Sequence, residues 1–301
     1  MAIPDFQALM RPILLVTSDG QQWSNQEIVR SVVQVLALPP EDLQERLNSG
    51  QPRIQNRVAW AIIYLRRAKA LIRPSRGVSE ITERGRLLLT ENPTRIDIGV
   101  LDQFEEFREF RSRKGSTKRI SPDLEPEEVN TDPIEQIESA LANIDNAVAS
   151  ELIERIKTQP FDFLERLVLR LMQAMNYGVL EESAEHLGGS GDEGFDGVIR
   201  LDALGLEKVY LQAKRYTDST VGRPAIQGFV GALTGAGATR GVFITTSKFS
   251  ADANSYAKQV PLNVILIDGE KLGQLLIQYR VGVQVKQEFA IVEVDEDFFE
   301  E

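Results

Sequence analysis

The chain has 301 residues, no cysteine and one histidine, with a formal net charge of −11. That excludes disulfides, thiolate zinc sites and histidine-rich metal centres, so a resident metal must be held by oxygen, as Mg²⁺, Mn²⁺ or Ca²⁺ are. The first residues, MAIPDFQALMRP, lack a basic segment followed by an apolar core, and no uninterrupted apolar run of spanning length follows, so a soluble cytoplasmic protein is expected.

Helical apolar spacing runs through PDFQALMRPILLVT (4–17), NQEIVRSVVQVLAL (25–38), PPEDLQERLN (39–48) and RIQNRVAWAIIYLRRAKAL (53–71). The turn residues of RPSRGVSEIT (73–82) then predict a tight hairpin, and ERGRLLLTENP a closing helix. Nine bases against two acids between Arg53 and Arg86 make this stretch +7, against the sign of the whole chain. A basic helix followed by a glycine-containing hairpin resembles a winged helix, with Arg53, Arg57, Arg66, Arg67 and Lys69 facing a DNA groove and Arg73 and Arg76 on the wing. The competing reading is a small helical interaction domain whose basic face is merely solvated. Trp23 and Trp60 are spaced as core residues. Residues 1–110 are assigned to this domain.

Residues 111–133, polar and punctuated by proline, read as a flexible linker. From Ser121 to Glu154 there are ten acids and no Lys or Arg, and the acidity continues into a long amphipathic helix at 134–158 that is expected to dock on a neighbouring domain or chain.

A strongly apolar helix, FDFLERLVLRLMQAMNYG (161–178), opens the remainder, stopped by Asn-Tyr-Gly. Strands are predicted at 195–201, 208–214, 241–246 and 263–268, with helices at 223–234, 251–259 and 270–280. Apolar strands alternating with helices imply an α/β sandwich around a mixed sheet. Between the first helix and first strand, GGSGDEG contains G-x-G-x-x-G at Gly189, Gly191 and Gly194. A dinucleotide loop needs a helix after it, and here an alternating strand follows, so a nicotinamide enzyme is excluded. GALTGAGATRG lies between a helix and a strand, the reverse of a phosphate loop. His186 reads as a loop or core residue.

In the 208–214 strand, Gln212 and Lys214 share one face while Leu211 and Ala213 face the core. Asp196, at the start of the preceding strand, meets them across the hairpin. A carboxylate, an amide oxygen and an ammonium at one end of a strand pair suit phosphodiester hydrolysis: oxygen ligands for a hard cation, and a lysine for the developing charge. The plainer reading is a structural polar cluster. Gln227, Arg215 and Arg223 lie within reach of such a site or on the solvated surface.

The GGSGDEGFDG…LQAK pattern, with the helix before it and GVFITTSKFS and VILIDGEKL after it, resembles the Mrr family of type IV restriction endonucleases, a branch of the PD-(D/E)xK nuclease superfamily. The resemblance covers nearly the whole chain. It implies a catalytic domain over 134–301, including the leading helix, with a restriction-endonuclease-like fold, and an Mg²⁺-dependent endonuclease, with Mn²⁺ able to substitute, that cuts modified, methylated foreign double-stranded DNA. It further implies Asp196 as metal ligand, Gln212 where most of the superfamily has Glu or Asp, Lys214 as catalytic lysine and Glu165 as the helix acid of the metal site. Asp192 matches within the glycine-rich segment. Gln212 removes one negative charge, which predicts weaker metal binding and leaves either its side chain or the Ala213 carbonyl as the ligand. The expected assembly is a homodimer or higher homo-oligomer, with no membrane partner. The alternative function is a DNA-binding regulator or sensor that keeps the nuclease fold without cutting.

Overall fold

The computed structural model describes residues 2–113, 131–177, 184–186, 195–202, 204–217, 219–295 and 297–299. They form two compact units, Met1–Ala140 with Val292–Glu301, and Leu141–Ile291. Among the described residues no helix is long and apolar enough to cross a membrane.

In the first unit, α1 (Met10–Val16), α2 (Asn25–Val35) and α3 (Arg53–Arg67) pack through Leu9, Met10, Ile13, Ile28, Val32, Val58, Ile62 and Leu65 into one core. α2 begins with a reciprocal cap in which the Ser24 hydroxyl accepts the Glu27 N–H at 3.3 Å and the Glu27 carboxylate accepts the Ser24 N–H at 2.8 Å. β1 (Trp23–Ser24), β2 (Leu71–Ile72) and β3 (Val78–Ile81) make an antiparallel sheet in the order β1-β3-β2. The expected hairpin is therefore β2–β3, turning through Gly77 at φ +67°, a conformation that favours glycine. α4 (Glu83–Glu91), α5 (Ile98–Leu101) and α6 (Glu105–Arg113) complete the unit. Trp23 and Trp60 pack against its core, as their spacing predicts.

Three local expectations change. The helix expected at 39–48 is a single 3-10 turn at Asp42–Gln44, because Glu45 leaves it in the extended region at ψ 130°. The helix expected from Pro4 begins at Met10; before it the Asp5 carboxylate accepts the N–H groups of Gln7 and Ala8, and the Met10 N–H bonds the Gln7 carbonyl in a tighter turn. α3 stops at Arg67 because Lys69 takes φ 57°. Of the expected linker, 111–113 belong to α6, 114–130 lie outside the described residues, and Asp132 is buried and caps α7 (Pro133–Thr158) through the N–H groups of Ile134 and Glu135.

In the second unit, β4 (Ala184–His186), β5 (Gly197–Arg200), β6 (Lys208–Lys214), β7 (Arg240–Thr245) and β8 (Asn263–Ile267) form a five-stranded sheet in that order. The first two pairings are antiparallel and the last two parallel, so the sheet is mixed. On one face the later part of α7, α8 (Phe161–Ala174) and α11 (Gly269–Gln278) enclose Leu164, Val168, Leu171, Leu211, Ala213 and Ile244. On the other, α9 (Arg223–Gly235) and α10 (Ala251–Gln259) enclose Phe195, Phe229, Phe243 and Val264. β4 was not predicted. It places His186 opposite Gly197 in the sheet, not in a loop.

Candidate active site and nucleic-acid interface

β6 alternates as its sequence dictates: Val209, Leu211 and Ala213 are buried, and Tyr210, Gln212 and Lys214 are half-buried on the other face. β5 and β6 pair from Gly197 with Leu211 to Arg200 with Lys208. Their connection is tied by Asp202, whose carboxylate accepts the N–H groups of Leu204, Leu206 and Glu207 at 2.9, 3.2 and 2.5 Å. The Glu207 N–H above all holds the Asp202 carboxyl below its ordinary range. A loop held this way sets the register that delivers Gln212 and Lys214 to the strand end.

Asp196 stands one residue before β5. Its N–H donates to the Leu211 carbonyl at 2.9 Å, and its carboxylate accepts the Ala213 N–H at 2.6 Å. The two bonds bracket Gln212, so Asp196, Gln212 and Lys214 are brought together at one end of the strand pair. Glu165 is 8% exposed on α8, which packs on the Leu211 and Ala213 face. Asp192 and the glycine-rich segment lie outside the described residues.

The oxygen donors of Asp196 and Gln212 are hard and suit a cation such as Mg²⁺, which keeps several waters and needs few carboxylates. Among the described residues no group of three or more acids, histidines or cysteines is placed to hold a metal. The set fits a lightly held hard cation completed by water and substrate oxygens. Arg215 donates to the Gln159 carbonyl. Arg223 pairs with Asp252 and stacks on the Tyr256 ring, 4.9 Å from its centroid. Gln227 is exposed on α9.

In the first unit the basic residues divide. Arg57 pairs with Glu135 through two nitrogens, each at 3.0 Å, and also donates to the Pro4 carbonyl at 3.0 Å. Arg53 joins the same carboxylate at 2.8 Å, and Asn56 donates to Asp132 at 2.8 Å. Glu135 and Asp132 are 7% and 1% exposed, so the first turn of α7 covers this end of α3. Arg66 braces the hairpin through the Val78 carbonyl and Ser79 hydroxyl at 3.0 and 2.8 Å. Lys69 meets Glu106 at 2.7 Å, which with Arg84 pulls that carboxyl down to about 2. Arg76 pairs with Asp297. Arg67 is exposed and lies 4.9 Å over the Phe110 ring, and Arg73 is exposed on the hairpin. Residue spacing reveals neither the Glu135 nor the Asp132 partnership, since each spans more than 70 residues.

Residues 156–276 match a family model described as a restriction endonuclease, the Mrr catalytic domain, and residues 6–91 match the Mrr N-terminal domain. The chain is 34% identical over 308 aligned residues to the type IV methyl-directed restriction enzyme EcoKMrr of Escherichia coli strain K12, covering 100% of both. Among solved structures it resembles the DNA modification-dependent restriction endonuclease AspBHI (TM-score 0.35, 18% identity, 71% of this chain and 57% of that one). It also resembles MspJI in complex with a 27-mer oligonucleotide (TM-score 0.33, 19% identity, 61% of this chain and 40% of that one).

Proposed function

The chain belongs to the Mrr family of restriction endonucleases, and from that premise we propose that it cuts methylated double-stranded DNA with the strand pair of Asp196, Gln212 and Lys214. The observation that carries this is the 2.6 Å bond from the Ala213 N–H to the Asp196 carboxylate, which holds an acid beside the strand face bearing Gln212 and Lys214. The methyl-directed substrate is carried over from the relative, whose full length this chain matches.

Nucleases of this family generally use a divalent metal ion, and Mg²⁺ is assigned here, with Mn²⁺ as substitute. Asp196, Gln212 and Glu165 are the donors assigned to it. Such an ion supplies charge neutralisation at the scissile phosphate and lowers the pKa of water. Asp196 orients its carboxylate without waiting for substrate, because Ala213 already holds one oxygen. Gln212 contributes a neutral carbonyl, so the site carries less negative charge to repel the incoming phosphate. Lys214 directs its ammonium along the same strand face, where it pairs with the non-bridging oxygens as negative charge builds in the transition state. What supports Glu165 is its burial on α8, the helix that packs over the same strand.

The helix α3 followed by the β2–β3 hairpin, in a sheet of order β1-β3-β2, supports a winged-helix reading of the first unit as the DNA-binding part. Arg67 and Arg73 are the phosphate contacts best supported by exposure. Arg53 and Arg57 are better supported as the anchor of α7. Incubating the protein with methylated and unmethylated plasmid, with and without Mg²⁺, tests the whole reading. Cleavage of methylated plasmid alone, and only with metal, is expected, and equal cleavage of both overturns the methyl-directed part.

A further inference from the structure

α3 carries four arginines among 15 residues, yet its exposed side chains are only Gln55, Ile63 and Arg67. The other arginines are half-buried: Arg53 and Arg57 against Glu135, and Arg66 against β3. Between Gln55 and Ile63, at the same four-residue interval, stands the half-buried Ala59, so an amide, a methyl and an isoleucine tip line one helix face. Ile63 is 36% exposed. Beside this stripe a groove of about 260 Å³ runs between α2 and α3, lined by Gln26, Arg30, Gln55 and Ala59 over a floor of Val58 and Ile62.

We propose that the Gln55–Ala59–Ile63 stripe is the base-reading surface of this protein and that it receives a methyl group on the major-groove edge of a base. A glutamine amide can donate to the N7 acceptor that either purine presents in the major groove, and small apolar groups are the side chains that meet a base methyl. No acid occurs anywhere on α3, and the exposed Arg67 at one end and Arg30 across the groove place cations where phosphates flank such a contact. An exposed isoleucine between cations is poorly suited to phosphate and well suited to a methyl group. The hairpin is joined to this face, since the Asn25 N–H at the start of α2 donates to the Gly77 carbonyl at 2.8 Å.

This proposal rests on the methyl-directed reading, and its test separates the two. Full-length protein in EDTA is titrated against short duplexes that are unmodified, carry 5-methylcytosine or carry N6-methyladenine, both methyls lying in the major groove. Gln55→Ala, Ala59→Gln and Ile63→Ser should each lower the ratio of methylated to unmethylated affinity by ~5-fold or more, while Ile63→Leu, which keeps an apolar tip, should retain it. The two methylated duplexes show which base supplies the methyl. Variants that keep the wild-type ratio, or that lose all three duplexes equally with unchanged thermal unfolding, overturn the stripe alone. A wild-type protein that binds all three duplexes alike overturns the methyl-directed reading and the stripe with it.

Discussion

The Asp196 carboxylate accepts the Ala213 N–H at 2.6 Å while the Asp196 N–H donates to Leu211, so one acid is stitched to β6 on both sides of Gln212. A backbone donor needs no partner side chain to be kept in place, and it leaves Gln212 and Lys214 to project on their own face. The acid and the lysine are thus positioned by the same strand.

Lys214→Ala should lower nicking of methylated plasmid by about two to three orders of magnitude, the size of effect expected when one transition-state charge partner is lost. Duplex affinity should change little, because one phosphate contact is a small share of the total. Gel analysis of nicked product beside a binding titration checks both; undiminished cleavage removes Lys214 from the site.

Activity should vanish in EDTA and return with Mg²⁺ or Mn²⁺ but not with Ca²⁺, whose looser coordination supports binding better than displacement. If the Gln212 side chain is a ligand, Gln212→Glu adds a charge and should tighten Mn²⁺ binding, read by calorimetry. Unchanged binding in that variant assigns the ligand to the Ala213 carbonyl.

Glu135→Ala removes the shared partner of Arg53 and Arg57, whose side chains are 28% and 14% exposed. Stranding a mostly buried arginine should cost about 3 kcal/mol, moderated by the Pro4 carbonyl that Arg57 keeps. Both tryptophans, Trp23 and Trp60, lie in the first unit, so the midpoint of their fluorescence change in urea reports this loss. A shift below ~1 kcal/mol would show that the contact contributes little to stability.

Arg67→Ala and Arg73→Ala should each flatten the plot of log affinity against log salt by roughly one unit if the side chain meets phosphate. Arg57→Ala should instead lower the unfolding midpoint and leave the slope alone. A flattened slope for Arg57 with unchanged stability would reverse this division.

A Cβ on Gly241 would lie 2.6 Å from Phe229 and 2.7 Å from Leu233, where β7 meets α9. Gly241→Ala should therefore destabilise the second unit by ~1–3 kcal/mol through overpacking. Calorimetry should show this as a fall in one transition while the tryptophan-reported transition of the first unit stays in place.

Much of this protein is written in its local pattern. The alternation of Val209, Leu211 and Ala213 with Tyr210, Gln212 and Lys214 dictates which face of β6 is dry, because successive side chains of a strand point to opposite sides. The α/β order of the second unit, the hairpin after the basic helix and the family motif around Asp196 are legible for the same reason: each depends on residues near one another in the chain. Which charges find which partners does not. Arg53 and Arg57 belong to a run that sequence assigns to DNA, and only the docking of α7 brings Glu135, some 80 residues away, onto them. Composition records a +7 segment, but it cannot record how much of that charge is already answered. Likewise β4 is three residues long, too short for its period to show, and gains its strand geometry by pairing with β5. Glu165 sits on the predicted helix, yet its burial follows from the layer packing of α8 on the sheet, which no spacing along one helix encodes. Periodicity tells a residue which way to face, and tertiary packing decides what it meets there.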